Sequence, residues 1–257
     1  GGTGHIALTT PLPAIIGTGP LTIDGTSGVG CSPNSNAFGQ SDNAVITVSL
    51  DGNNVVSFGL ILQTNDVTIK GLGFRNFNFG GLGEAIKIDN VTGCTIAGNF
   101  IGTDNGGASA QPNFFGVVLN GAGATLNTVG GSNPADRNLI AGNASWGVIF
   151  ANAASDNDVY GNYIGLRSDA STGLANGNGG VTVCATCIDN TIGNSAVGNV
   201  ISGHASGIGV EVNGVDTYLL GNRIGTRADG TAALPNNVGL VLNADDTYIG
   251  GVGPGER

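Results

Sequence analysis

The sequence predicts an all-β chain wound as a single-stranded, right-handed parallel β-helix of about eight turns, roughly 30 residues each. Three observations predict it. One hexapeptide is written three times: GNFIGT from Gly98, GNYIGL from Gly161 and GNRIGT from Gly221. A second phrase, small–apolar–x–apolar, recurs about every 30 residues along the middle of the chain. No segment carries a 3.6-residue apolar period over ten residues, so helix is expected to be minimal.

The second phrase reads AIKID at Ala85, GVVLN at Gly116, GVIFA at Gly147, GVTVC at Gly180, GIGVE at Gly207 and GLVLN at Gly239. Its successive intervals are 31, 31, 33, 27 and 32, so the GN-x-IG phrase marks every second unit. Each unit holds short stretches of alternating hydrophobicity separated by Gly, Asn and Asp. Strands this short cannot stand alone, but stacked coils share one interior and pair along the stack. Sharp corners call for residues that tolerate positive φ, a role this pattern gives to Asn99, Asn143, Asn162 and Asn222. Asn side chains in successive corners can also hydrogen-bond along the stack and satisfy corner backbone groups. The following Ile101, Ile164 and Ile224 point into the core.

Composition agrees. Gly is 48 of 257 residues without a three-residue period, which excludes collagen, and 40% hydrophobic content excludes a disordered chain. The net charge of −10, with 8 Lys plus Arg, excludes nucleic acid as a partner. No apolar run approaches the ~20 residues of a membrane span. A chain that starts at Gly1 and lacks Met reads as processed or as a fragment of something longer. One β-helix domain is expected over 1–257, with irregular turns in 1–45 and regular ones in 46–257. The closing VGPGER breaks off where the parallel passage SNPADRNLIAGN continues.

Cys31, Cys94, Cys184 and Cys187 suggest disulfides, with 184–187 and 31–94 the first pairings to test. Only His5 and His204 are available to complete a zinc site, too few for one.

The passages TPLPAI…LTIDGT (10–26), RNLIAGN (137–143) and GNRIGTRADGTAALPN (221–236) resemble secreted right-handed β-helix repeat proteins of the pectin-lyase-like superfamily. The resemblance covers nearly the whole chain. It implies a secreted or cell-surface location and admits lyases, hydrolases, adhesins and tailspikes alike.

Alternation sorts the phrase residues into inward ones (among them Ile208 and Val210) and two outward columns. One column runs Lys87, Val118, Ile149, Thr182, Gly209, Val241; the other runs Asp89, Asn120, Ala151, Cys184, Glu211, Asn243. Asp89 and Glu211, four turns apart, are too distant for paired-carboxylate hydrolysis. At the next corner Asp156, Asp189, Asp216 and Asp246 occupy equivalent places, a column that would bind calcium or simply supply turn residues. His204 in SGHASGIG resembles a polygalacturonase His motif, but no acidic cluster precedes it and no Arg-x-Lys follows; it reads as an Asn substitute. Arg167, Arg223 and Arg227 lie near the GN-x-IG loops rather than the Asp column. A Thr ladder for ice binding is not found after IG, where Thr103, Leu166 and Thr226 stand. Phe114, Phe115, Trp146 and Tyr163 are candidates for sugar stacking or for packing. Asn90 and Asn143 head glycosylation sequons, and Asn143 is also wanted at a corner.

No catalytic residue is assigned. The expected function is a non-catalytic extracellular structural or adhesive module, a stalk or filament subunit. Its partners would be other protein subunits or a cell-surface polysaccharide. The alternative is a lyase or hydrolase of an acidic polysaccharide.

Overall fold

The computed structural model describes residues 4–250. The strands form three sheets in which every pairing is parallel, and beyond the first strand, which pairs with the third, each strand neighbours the one three along in sequence. One coil therefore gives one strand to each sheet, wound in the right-handed sense of parallel crossovers. The first sheet holds the long strands: Leu60–Leu62, Glu84–Asp89, Phe115–Asn120, Trp146–Ala151, Gly179–Val183, Ile208–Val212 and Val238–Leu242. The second and third sheets have eight strands each, such as Thr128–Gly130 and Asp158–Tyr160 in the second, and Leu139–Ile140 and Tyr163–Ile164 in the third. The helical content among described residues is two 3-10 turns, Phe79–Gly81 and Pro134–Asp136. Among the described residues no helix is long and apolar enough to cross a membrane.

The inward columns are mainly aliphatic, with Phe74 and Phe150 among them, and one continuous core runs from Leu8 to Leu219. Register in the first sheet differs from the sequence reading at one coil. Val181 pairs with Val210 and Val183 with Val212, so Val210 points inward as expected and Val212 joins it, in the place expected for Ile208. Glu211 thus joins Lys87, Val118, Ile149, Thr182 and Val241 in one column, in the place expected for Gly209. The phrase is anchored on Gly209, not Gly207, which regularises the last intervals to 29 and 30. The physical reason is contact: Gly116, Gly147, Gly180 and Gly209 form a column in which a Cβ would collide with the carbonyl of the next coil's glycine.

All three corners carry stacked amides. At the corner leading into the third sheet, Nδ2 of Asn99, Asn138, Asn162 and Asn199 each donates to Oδ1 of the next member, ending at Asn222, at 2.9–3.1 Å. The same Oδ1 atoms accept the neighbours' backbone N–H groups. Nδ2 also reaches a strand carbonyl, Val129 O in the case of Asn162. The positive φ expected of these Asn belongs to the preceding glycines, with Gly98 at 66°, Gly161 at 75° and Gly221 at 63°. Asn143 belongs to a different stack, at the corner entering the first sheet, where Asn113, Asn143 and Asn176 are linked. Its amide is buried and engaged, so that sequon is closed to glycosylation in the folded chain. A third stack, Asn127–Asn157–Asn190, lies at the corner entering the second sheet.

Irregular structure is confined to a narrower span than 1–45. Gly4–Ala7 and Leu21–Asp24 already pair with later strands, and Ile15 bridges to Leu62. Residues 25–47 then leave the coil and lie as a strap over the outer face of the third sheet. There Phe38 and Ala44 pack on a second apolar cluster that includes Phe100, Leu139, Tyr163 and Val200. Tyr163 Oη donates to Gln40 O at 2.7 Å and accepts from Gly39 N at 2.9 Å. The Arg137 guanidinium stacks 4.3 Å over the Tyr163 ring, faces the buried Asp42 carboxylate at 3.9 Å and donates to Asn36 O. The passage VGPGER lies outside the described residues.

Two stability measurements check this architecture. Asn162→Ala leaves amides above and below it unpaired in a dry corner, and urea unfolding should show a loss of roughly 2–4 kcal/mol. Tyr163→Phe removes both strap hydrogen bonds; protease cleavage within 34–46 should accelerate, with little change in the global unfolding midpoint.

Candidate functional site

The outer face of the third sheet is covered by the strap, and its loops add a second layer. Hairpin-like loops close between Thr103 and Ala110, Leu166 and Gly173, and Thr226 and Ala233. They occur on alternate coils and lean on one another, Ser168 N donating to Gly107 O and Ala228 N to Ala170 O. The guanidinium of Arg223 lies 5.1 Å from the Phe38 ring and bonds Ala228 O. Arg167 and Arg227 emanate from the loops themselves, so the three arginines stand on the side of the prism facing away from the Asp corner. Tyr163 is fully buried in this layer, which removes it as a sugar platform.

Asp156, Asp189, Asp216 and Asp246 do share one corner. Their φ values are 53°, 53°, 52° and 55°. Asp66 at 59° and Leu126 at 55° take the same place in other coils, one or two residues before the strand of the second sheet. A leucine there shows what the position selects: a residue that accepts left-handed backbone, for which Asp and Asn are best among side-chain-bearing residues. Among the described residues no group of three or more His, Cys, Asp or Glu is gathered to hold a metal ion, so the calcium expectation finds no ligand cage at this column.

Cys184 and Cys187 are disulfide-bonded across the turn after Gly179–Val183. The pairing of Cys31 with Cys94 does not form: Cys94 is buried in the core, its thiol pushed up by burial, while Cys31 sits beside Thr47 in the strap. The two histidines are also apart, His5 lying beside Asp51 and Arg75 on the first coils.

His204 stands in the Asn113–Asn143–Asn176 stack. Asn176 Nδ2 lies 3.2 Å from His204 Nε2, and Asn236 Oδ1 lies 3.0 Å from Nδ1. Asn176 Oδ1 is already taken by Asn143, so its NH₂ must face the ring. Nε2 therefore accepts and Nδ1–H donates, a neutral imidazole replacing an amide. Burial lowers its pKa to about 4, against a smaller upward pull from Asn236.

The strap and loops leave the outer face of the first sheet open. Its outward charged residues are few. Glu84, Lys87 and Asp89 lie on one strand, and Glu211 lies four strands away, about 19 Å from Lys87 by strand spacing. Asp89 Oδ2 accepts from Gln63 Nε2 at 2.8 Å and Oδ1 from Asn120 Nδ2 at 2.7 Å. Burial pushes the Asp89 carboxyl up, but these bonds and Lys87 outweigh it and hold it below the usual range. Burial pushes the Glu84 carboxyl up, with Lys87 opposing and Asp89 adding to the effect. Further along the same face, a groove of about 420 Å³ opens beside Trp146, bordered by Asn178, Ser206, Ile208, Glu211 and Asn237. Sequence alternation put Glu211 in the wrong column and left this groove unseen.

The class defined by these sheets is the right-handed parallel β-helix. No protein-family model matches the chain, and no curated protein matches it. Among solved structures, a crystal structure of a mutant of the periplasmic alginate epimerase AlgG superposes with a TM-score of 0.50 at 18% identity. The match covers 70% of this chain but only 35% of that one, and the likeness is one of fold.

The His204 environment sets a pH dependence. Its folded pKa lies below the ordinary 6.5, so the stability contributed by keeping it neutral is complete above pH 6.5. That stability drains as pH falls from 6.5 toward 4, by up to about 3 kcal/mol. His204→Asn completes the amide stack; thermal unfolding followed against pH should lose this part of the acid sensitivity.

Proposed function

We propose that the chain is a non-catalytic, extracytoplasmic β-helix module that adheres to polysaccharide through the exposed face of its first sheet. The observation that carries this is the chemistry of that face. Among the described residues its carboxyls are either four coils apart or, in Glu84 and Asp89, at opposite ends of one strand with Lys87 between them. Both Asp89 oxygens are occupied by amide donors. Paired-carboxylate hydrolysis needs two groups flanking a bond, with one positioned as acid and the other free as base or nucleophile. The disulfide at Cys184–Cys187 supports an oxidising compartment. The fold neighbour, a periplasmic alginate epimerase, supports a polysaccharide lying along such a scaffold.

The raised Glu84 carboxyl beside Lys87 is the one feature that favours the enzyme reading. Incubation with a panel of neutral and uronate polysaccharides, with and without calcium, separates the two. The expected result is co-sedimentation with an insoluble polymer, no new reducing ends, no unsaturated products and no change in uronate composition by NMR. Product formation that disappears in Glu84→Gln or Lys87→Ala would replace adhesion with catalysis.

A further inference from the structure

We infer that the groove beside Trp146 is a binding site for a neutral glycan, stacked on the indole and hydrogen-bonded by Asn178, Ser206, Asn237 and Glu211. The inference rests on the polysaccharide reading above and adds the location and the ligand chemistry. Trp146 begins its strand at the loop-side edge of the first sheet and pairs with Gly179, which pairs with Ile208, which pairs with Val238. The indole lies across Gly179, where any Cβ would meet the ring, so the glycine lets the aromatic plane lie down along the sheet. From Trp146 the groove crosses three further strands, about 14 Å, a length that takes several sugar rings.

Its lining is specific in kind. One aromatic platform suits the C–H face of a pyranose. Amides and a hydroxyl offer both donors and acceptors to sugar hydroxyls. Glu211 is oriented by Thr182, whose hydroxyl donates to Oε2 at 3.1 Å, while Oε1 has no partner among the described residues. A free carboxylate oxygen accepts strongly from a hydroxyl pair. Asn178 is held in turn by its Nδ2 bond to Ser145 Oγ at 2.9 Å. No Lys or Arg borders the groove, and the chain carries a net charge of −10. A uronate or sulfated chain would meet Glu211 with nothing to neutralise it, so charge selects an uncharged polymer.

Trp146 is the sole tryptophan, so its fluorescence reports on this groove alone. The full chain is titrated with cello-, xylo- and manno-oligosaccharides and with oligogalacturonate and oligoalginate, in parallel with co-sedimentation on the corresponding polymers. Expected is a saturable indole change with a neutral oligosaccharide, unaffected by salt. In calorimetry Trp146→Ala should weaken that binding at least about tenfold, ~1.4 kcal/mol, with Trp146→Tyr retaining most of it. Glu211→Gln, which keeps the fold, should weaken it by several-fold. Binding only to the uronate oligomers overturns the ligand assignment. Polymer retention with a silent indole and unchanged Trp146→Ala affinity overturns the groove while leaving the adhesive reading intact. Retention on no polymer overturns both.

Discussion

A coil that turns three corners every 30 residues or so must bury backbone N–H and C=O groups where no strand can pair them, and this constraint governs the whole molecule. The solution is an amide at each corner whose Oδ1 serves the coil before it and whose Nδ2 reaches a strand carbonyl. One Asn side chain thus satisfies three or four groups at once. Because each member needs the next, the stacks lock coil to coil at 4.8 Å and fix the register of the sheets between them. The sheets are then free to vary on their outer faces, since the corners and the aliphatic interior already determine the shape.

That division explains what could be read from sequence. The GN-x-IG phrase, the ~30-residue period and the inward Ile residues are local signals, and the eight-coil prism follows from them. The role of Asn was half legible: its stacking is implied by repetition, but the positive φ belongs to the adjacent glycine, and Asn138, not Asn143, is the partner of Asn99 and Asn162. Gly207 and Gly209 offered two equally good anchors two residues apart; the pairing of Val181 with Val210, together with the close approach of Gly209 to Gly239 O, selects the second. The aspartate column was legible as a pattern but not as to cause, because a corner that selects for left-handed backbone and one that selects for carboxylate write the same letters. Leu126, with φ of 55°, shows that the corner also accepts a side chain with no carboxylate.

Long-range contacts were not legible at all. Nothing near Asp42 announces that it meets Arg137, or that Phe38 and Tyr163 share a cluster. These contacts decide which surfaces stay accessible. They bury the third face, and backbone-chosen aspartates occupy one corner of the second. The first sheet stays open beside Trp146, while the second carries the stacked pair Tyr218 and Tyr248.

The loops that alternate with bare coils have a consequence for how such a molecule changes length. Each loop reaches across a loopless coil to rest on its counterpart, as Ser168 does on Gly107. Deleting one coil would drive two loops into the same space, and inserting one would leave a gap between them. Growth and loss should therefore occur in pairs of coils, so that the heritable brick of this architecture is twice the size of its structural repeat.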